Sequence, residues 1–198
     1  MRRFSTRTLL AAASAALAAV LFIAGGLALW GSTYVHNTVQ GQLASQQIYF
    51  PPASAFAHAK AGTEITPNMI PSVSQYAGEQ LLTGQQAEAY ADHFIAQHII
   101  NMGGGKTYSQ LSTESLAQPN NTALANTVNT VFKGETLRSM LLSAYGWWKV
   151  SQITWIAAIF AYALGGLVLA GSLAGLALGR KTGSAPTIKH EEITPTNA

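Results

Sequence analysis

The sequence predicts an all-α chain: a two-helix transmembrane hairpin with a small helical extracytoplasmic domain inserted between the spans. Three observations predict it. Residues 9–30 and 153–179 are long apolar runs without a charge. Between them, apolar residues recur three and four apart, the period of an amphipathic helix. No stretch alternates apolar and polar side chains as a half-buried strand would. Composition agrees, because only 10% of the 198 residues are charged, where a soluble domain carries about 25%.

Taken in order, the chain opens with a cytoplasmic N-terminus (1–8). The first transmembrane helix (9–34) follows. About 20 apolar residues cross a bilayer, and its run is longer than a signal-peptide core and lacks a clear cleavage site, so it reads as a retained anchor. The extracytoplasmic domain (35–150) begins with Val35, Val39 and Leu43 on one stripe, a continuation of the first helix that Pro51-Pro52 should stop. Residues 51–71, with four prolines, read as a loop or a short packed crossing. A helix then starts at Thr83, with Gln86 at capping-box spacing. It carries Ala87, Ala91, Phe94, Ile95, Ile99 and Met102 on one face and stops at Gly103. A second helix starts at Thr107 with Gln110. A third, capped by Asn121, carries Leu124, Val128, Val131 and Phe132. Gly134 should interrupt it before Leu137, Leu141, Tyr145 and Trp148 lead into the second transmembrane helix (151–179). Residues 180–198 are polar and aperiodic and read as a disordered cytoplasmic tail.

Lys and Arg beside the spans set orientation. Arg2, Arg3 and Arg7 flank the first span, and Arg180 and Lys181 follow the second, whereas the inner loop ends carry only Lys149 nearby. Both termini are therefore expected in the cytoplasm, in a multi-pass protein of the cell membrane. Trp30, Tyr34, Trp147, Trp148 and Trp155 cluster at the opposite ends, as an interfacial aromatic belt does. Between the spans five basic residues meet six acidic ones, so the net charge of +3 comes from the ends. That balance leaves no basic surface for nucleic acid.

Gly105-Lys106-Thr107 ends like a phosphate-binding loop, but Ile100 stands where the first glycine belongs and a helix precedes it. No nucleotide is expected. His93 and His98 are five apart, about 140° around an α-helix, so no metal site is expected from them, and no cofactor is called for. Glu135 and Arg138 have the spacing of a helix-surface pair. In the second span Gly171, Gly175 and Gly179 recur every four residues, and Ala11, Ala15 and Ala19 do so in the first. Such small-residue ridges let helix backbones approach, within the hairpin or against a partner.

"QQIYFPP" (46–52), "GEQLLTGQQAEAYADHFIAQHI" (78–99), "GGGKTYSQLS" (103–112) and "VFKGETLRSMLLSAYGWW" (131–148) resemble an uncharacterised actinobacterial two-span membrane-protein family. Its members often carry the label of an aromatic ring-opening dioxygenase. The resemblance implies a two-span membrane protein and no particular activity, and no catalytic residue is carried over from the label. The expected function is that of a non-enzymatic accessory subunit or scaffold of a membrane or cell-envelope complex, with the lipid bilayer and another membrane protein, or a second copy, as partners. The alternative is an exported small-ligand binder or enzyme with a pocket built from His58, His98 and the tyrosines.

Overall fold

The computed structural model describes residues 6–182, and every helix or strand assigned among them is helical. α1 spans Thr6–Ser45, α2 Ala53–Ala57, α3 Ile70–Val73, α4 Gly84–Ala89, α5 Ala96–Met102, α6 Tyr108–Ala117 and α7 Thr122–Thr182. Short 3-10 turns cover Pro67–Met69 and Ser74–Tyr76, and a π-helical turn, Tyr90–Ile95, joins α4 to α5. Tyr49 and Gln80 form an isolated antiparallel bridge. α1 and α7 are both long and apolar enough to cross a membrane. Of the predicted tail (180–198), residues 180–182 continue α7, and the rest lies outside the described residues.

The chain divides into two compact units. The first holds residues 6–27 and 157–182. Here α1 and α7 run antiparallel: Ser172 Oγ donates to the Ala11 carbonyl at 3.4 Å, Gly165 faces Leu21 and Phe22, and Gly25 faces Ala158. Ala18 and Ala158 are buried in this contact. Elsewhere the two helices turn bulky apolar side chains outward, among them Leu10, Val20, Ile23, Phe160, Leu167 and Leu178. Only 11% of the most apolar stretch of each long helix is buried inside the molecule. A core helix of a water-soluble protein would bury most of it, and these exposed apolar faces are compatible with a membrane.

The second unit, Ala28–Ile156, has a core of its own. Val39 and Leu43 of α1, Leu81, Ala87, Ala91, Ile95 and Ile99, and Val131, Leu141 and Trp148 of α7 are all buried in it. Two helix starts follow local sequence closely. Thr83 accepts from the Gln86 backbone N–H while the Gln86 side chain accepts from Thr83 N–H, and Thr107 and Gln110 repeat the arrangement. Each reciprocal pair satisfies two N–H groups that a helix start would leave bare. Asn121 Oδ1 accepts from Leu124 N–H and starts α7 in the same way.

Three expectations are corrected. α1 ends at Ser45, ahead of Pro51-Pro52, because Gln47 turns into the left-handed region at φ 52°. Gly134 does not interrupt a helix, since α7 continues through it to Thr182. The glycine is there for clearance: a Cβ at that position would lie 2.8 Å from Ile99 Cγ1. Met102 and Phe132, assigned to apolar faces, are 46% and 51% exposed, although Phe132 stacks on Tyr108 at 5.5 Å.

The π turn has a physical reason. Ala87, Ala91, Ile95 and Ile99 are buried at steps of four, whereas an α-helix turns in 3.6 residues. Three such steps drift by about 120° in a regular helix. One wider i→i+5 turn takes up that drift and keeps all four side chains on the core side.

Candidate functional site

Two of the clefts in the second unit set polar groups beside aromatic walls. The larger, about 470 Å³, lies between α1 and α7 and is lined by Ser32, Thr33, His36, Ser151, Gln152, Trp155 and Ile156. Its hydroxyls are committed to the helices themselves. Ser32 Oγ donates to the Ser151 carbonyl at 2.7 Å, Ser151 Oγ to the Trp148 carbonyl at 2.7 Å, and Thr33 Oγ1 to the Leu29 carbonyl at 2.9 Å. The His36 ring lies tilted against Trp148, with centroids 4.0 Å apart. Neither His36 nor the Gln152 amide makes a side-chain hydrogen bond among the described residues. None of the lining residues is an acid, a lysine or an arginine.

Trp148 behind His36 is 5% exposed and belongs to the core, and its Nε1 has no hydrogen-bond partner among the described residues. It packs against Gly84, the first residue of α4. Of the five aromatic residues expected at a membrane interface, Trp30, Tyr34, Trp147 and Trp155 are 50% exposed or more, while Trp148 is withdrawn into the core. Trp30 and Tyr34 stack on one another at 5.9 Å.

The second cleft, about 360 Å³, is walled by Tyr49, Phe50, Pro51, Pro52, Tyr90 and Phe94, with Glu64 at its edge. An aromatic series runs behind it. Phe50 meets Tyr76 at 5.1 Å and Tyr90 edge-on at 5.3 Å, Tyr90 meets Phe94 at 4.7 Å, and Phe94 meets His98 at 4.5 Å. Burial, and then the charge of Glu64, push the Tyr90 hydroxyl above its ordinary 10.0. His98 Nδ1 is 2.7 Å from the Phe94 carbonyl, a contact within its own helix. His58 is exposed on the residue that ends α2, and neither it nor His98 lines this cleft.

The remaining candidates separate. Asp92, on the π turn, accepts from Arg138 Nε at 3.1 Å and from its NH2 at 2.7 Å. Glu135, the partner expected from spacing, is a weaker one at 3.5 Å. Asp92 raises the already high Arg138 pKa, first through these hydrogen bonds. Gly104 and Gly105 adopt φ +60° and +78° and reverse the chain between α5 and α6, and Lys106 pairs with Glu114. Among the described residues no three His, Asp or Glu side chains come together as metal ligands do.

In the first unit Gly171 and Gly175 line a groove of about 460 Å³, but a Cβ on either would meet nothing within 4 Å. Ala15 and Ala19 are exposed, and Ala11 is half-buried beside Ser172. Arg2 and Arg3 lie outside the described residues, as do the side chains of Arg7, Arg180 and Lys181 and the surroundings of Gly179.

A different small-residue pattern holds the helices, and it was present in the sequence. Ala11, Ala18, Gly25 and Ser32 recur every seven residues in α1, and Ser151, Ala158, Gly165 and Ser172 do so in α7. In the first unit Ala11 meets Ser172 and Gly25 meets Ala158, and in the second Ser32 meets Ser151. Seven-residue spacing is the repeat of two helices wound left-handed about each other, and small side chains there bring the backbones close.

No family model matches the chain, and no curated protein or solved structure matches it.

Proposed function

We propose that the chain is a non-enzymatic membrane protein, an accessory subunit or scaffold of a membrane or cell-envelope complex. Both termini lie in the cytoplasm and residues 35–150 lie outside. The observation that carries the membrane part is the outward face of the two long helices, where Leu10, Val20, Ile23, Phe160 and Leu167 are each more than 60% exposed. A bilayer accepts that surface, and the paired helices satisfy their own backbone groups within it. The arginines at residues 2, 3 and 7 and the basic pair Arg180-Lys181 support the orientation. The open flank at Gly171 and Gly175 supports a partner helix, because among the described residues nothing lies within 4 Å of a Cβ at either position.

Alkaline phosphatase fused after Gly62 should be active, and fused after Ala198 inactive. The reverse pattern overturns the orientation. Mild-detergent purification should recover a stoichiometric partner or a second copy, and Gly175→Leu should release it while membrane insertion survives. Unchanged recovery in that variant overturns the role of the flank. A second reading, a small-ligand binder, is favoured by the cleft at His36 and Gln152, whose free polar groups sit among apolar walls.

A further inference from the structure

We infer that the cleft between α1 and α7 binds the head of a membrane quinone: a flat, uncharged ring with carbonyl acceptors and an apolar tail. The inference rests on the membrane reading above and deepens its second branch. It starts from what each polar group in the cleft has left to give. Ser32, Thr33 and Ser151 have spent their hydroxyl protons on helix carbonyls. Among the described residues His36, Gln152 and the Trp155 indole N–H are the lining donors that make no side-chain hydrogen bond. A neutral imidazole offers one N–H, and the glutamine amide offers two. Both therefore present donors to a ligand that brings acceptors.

Charge narrows the ligand further. A phosphate head calls for Lys or Arg, and none lines the cleft. Lys149, the nearest basic residue in sequence, lies over the Tyr145 ring at 5.5 Å. An uncharged acceptor such as a ring carbonyl suits the His36 and Gln152 donors without bringing a charge into the cleft. The walls suit a flat ring. Trp155 and Ile156 line the cleft and are about half exposed, and an indole offers a face for offset stacking. A volume of about 470 Å³ falls within the usual range of small-molecule sites. The cleft shares its stretch of both helices with the exposed Trp30, Tyr34 and Trp155, the residue types that gather where headgroups meet hydrocarbon. At that depth a head reaches His36 and Gln152 while its tail remains in lipid.

The test uses full-length protein in detergent, titrated with a naphthoquinone carrying a short prenyl tail and followed by quenching of tryptophan fluorescence. Saturable quenching is expected. Gln152→Leu and His36→Leu should each weaken it about three- to tenfold, the range of one lost hydrogen bond. Trp155→Phe should remove most of the amplitude, and Asn126→Leu, exposed on α7 and 26 positions from Gln152, should change nothing. Linear quenching that is equal in all variants reflects partition into detergent and overturns the inference. So does recovery of a diacyl lipid that is lost in Gln152→Leu when quinone does not bind, which gives the cleft to lipid. Failure of the membrane reading is told apart by alkaline carbonate extraction, since a membrane-resistant protein without saturable quenching refutes the quinone alone.

Discussion

Gly84→Ala isolates one contact of the second unit and has a sign that can be worked out beforehand. Gly84 is the first residue of α4, behind the Thr83 cap, and it is buried. An added Cβ would lie 2.8 Å from Trp148 Cδ1 and nearer still to Trp148 Cβ and Cγ. Trp148 cannot yield by rotating, because Cβ moves only with the backbone of α7, and the side chain is 5% exposed within the core. Overpacking of this kind costs about 1–3 kcal/mol. Alanine returns up to about 1 kcal/mol in helix propensity. The net loss is up to about 3 kcal/mol, which for a chain of this length lowers Tm by up to roughly 12 °C. The reference is Gly146→Ala, two residues from Trp148 on the same helix, where a Cβ meets nothing within 4 Å; it should be neutral or stabilising by up to about 1 kcal/mol. Thermal melts of purified protein in one detergent measure both. Equal Tm in the two variants would show that α4 and α7 slide apart at no cost, and the packing argument would fall.

Three further outcomes are expected. Gly25→Leu and Gly165→Leu, whose Cβ positions already lie 3.3–3.4 Å from the opposite helix, should lower Tm in detergent. Gly171→Leu should leave the isolated protein unchanged, and equal effects at all three would refute the seven-residue pairing. Tyr90, raised above 10.0 by burial and Glu64, should titrate above the other tyrosines when phenolate absorbance is followed, and Tyr90→Phe should remove that step. Because its folded pKa is the higher one, stability is complete below pH 10 and falls as pH rises toward the folded value; Glu64→Gln should move the midpoint down. Asp92→Asn and Arg138→Met should each cost at most about 1 kcal/mol, since both side chains are 34% exposed and solvent screens the pair. A double-mutant cycle should show coupling that shrinks with added salt, and zero coupling at low salt would refute the pair.

Helix starts were legible because they are decided within four residues. Thr83 with Gln86, Thr107 with Gln110, and Asn121 each satisfy bare N–H groups using neighbours in sequence. Gly134 is illegible locally for the opposite reason. Its cause is Ile99, 35 positions away, and a local scale sees only a poor helix former. The π turn escaped for a related reason: steps of four from Ala87 to Ile99 match an α-helix locally and conflict with it only over the whole run. Asp92 and Arg138 are 46 residues apart, so the strongest ion pair of Arg138 lay beyond any spacing rule. The candidate cleft was the least legible. His36 and Gln152 sit far apart in the chain, and it takes the antiparallel pairing of Ser32 with Ser151 to bring them to one site.

The small residues of α7 carry one more inference about how such helices divide their surface. Ser151, Ala158, Gly165 and Ser172 lie at steps of seven, the spacing that holds a seam against one partner, and all four have an identified contact on α1. Gly171 is offset from Ser172 by about 100° and Gly175 by about 60° on the same flank. A template of every fourth residue finds Gly171 and Gly175 and passes over the seam, because it was drawn for close right-handed crossings. The two patterns therefore answer different questions. The seven-residue repeat joins α7 to α1 and is filled. The four-residue ridge stands open beside a groove of about 460 Å³, so a bulky residue there tests what lies outside the chain, whereas one at Gly165 tests the chain itself.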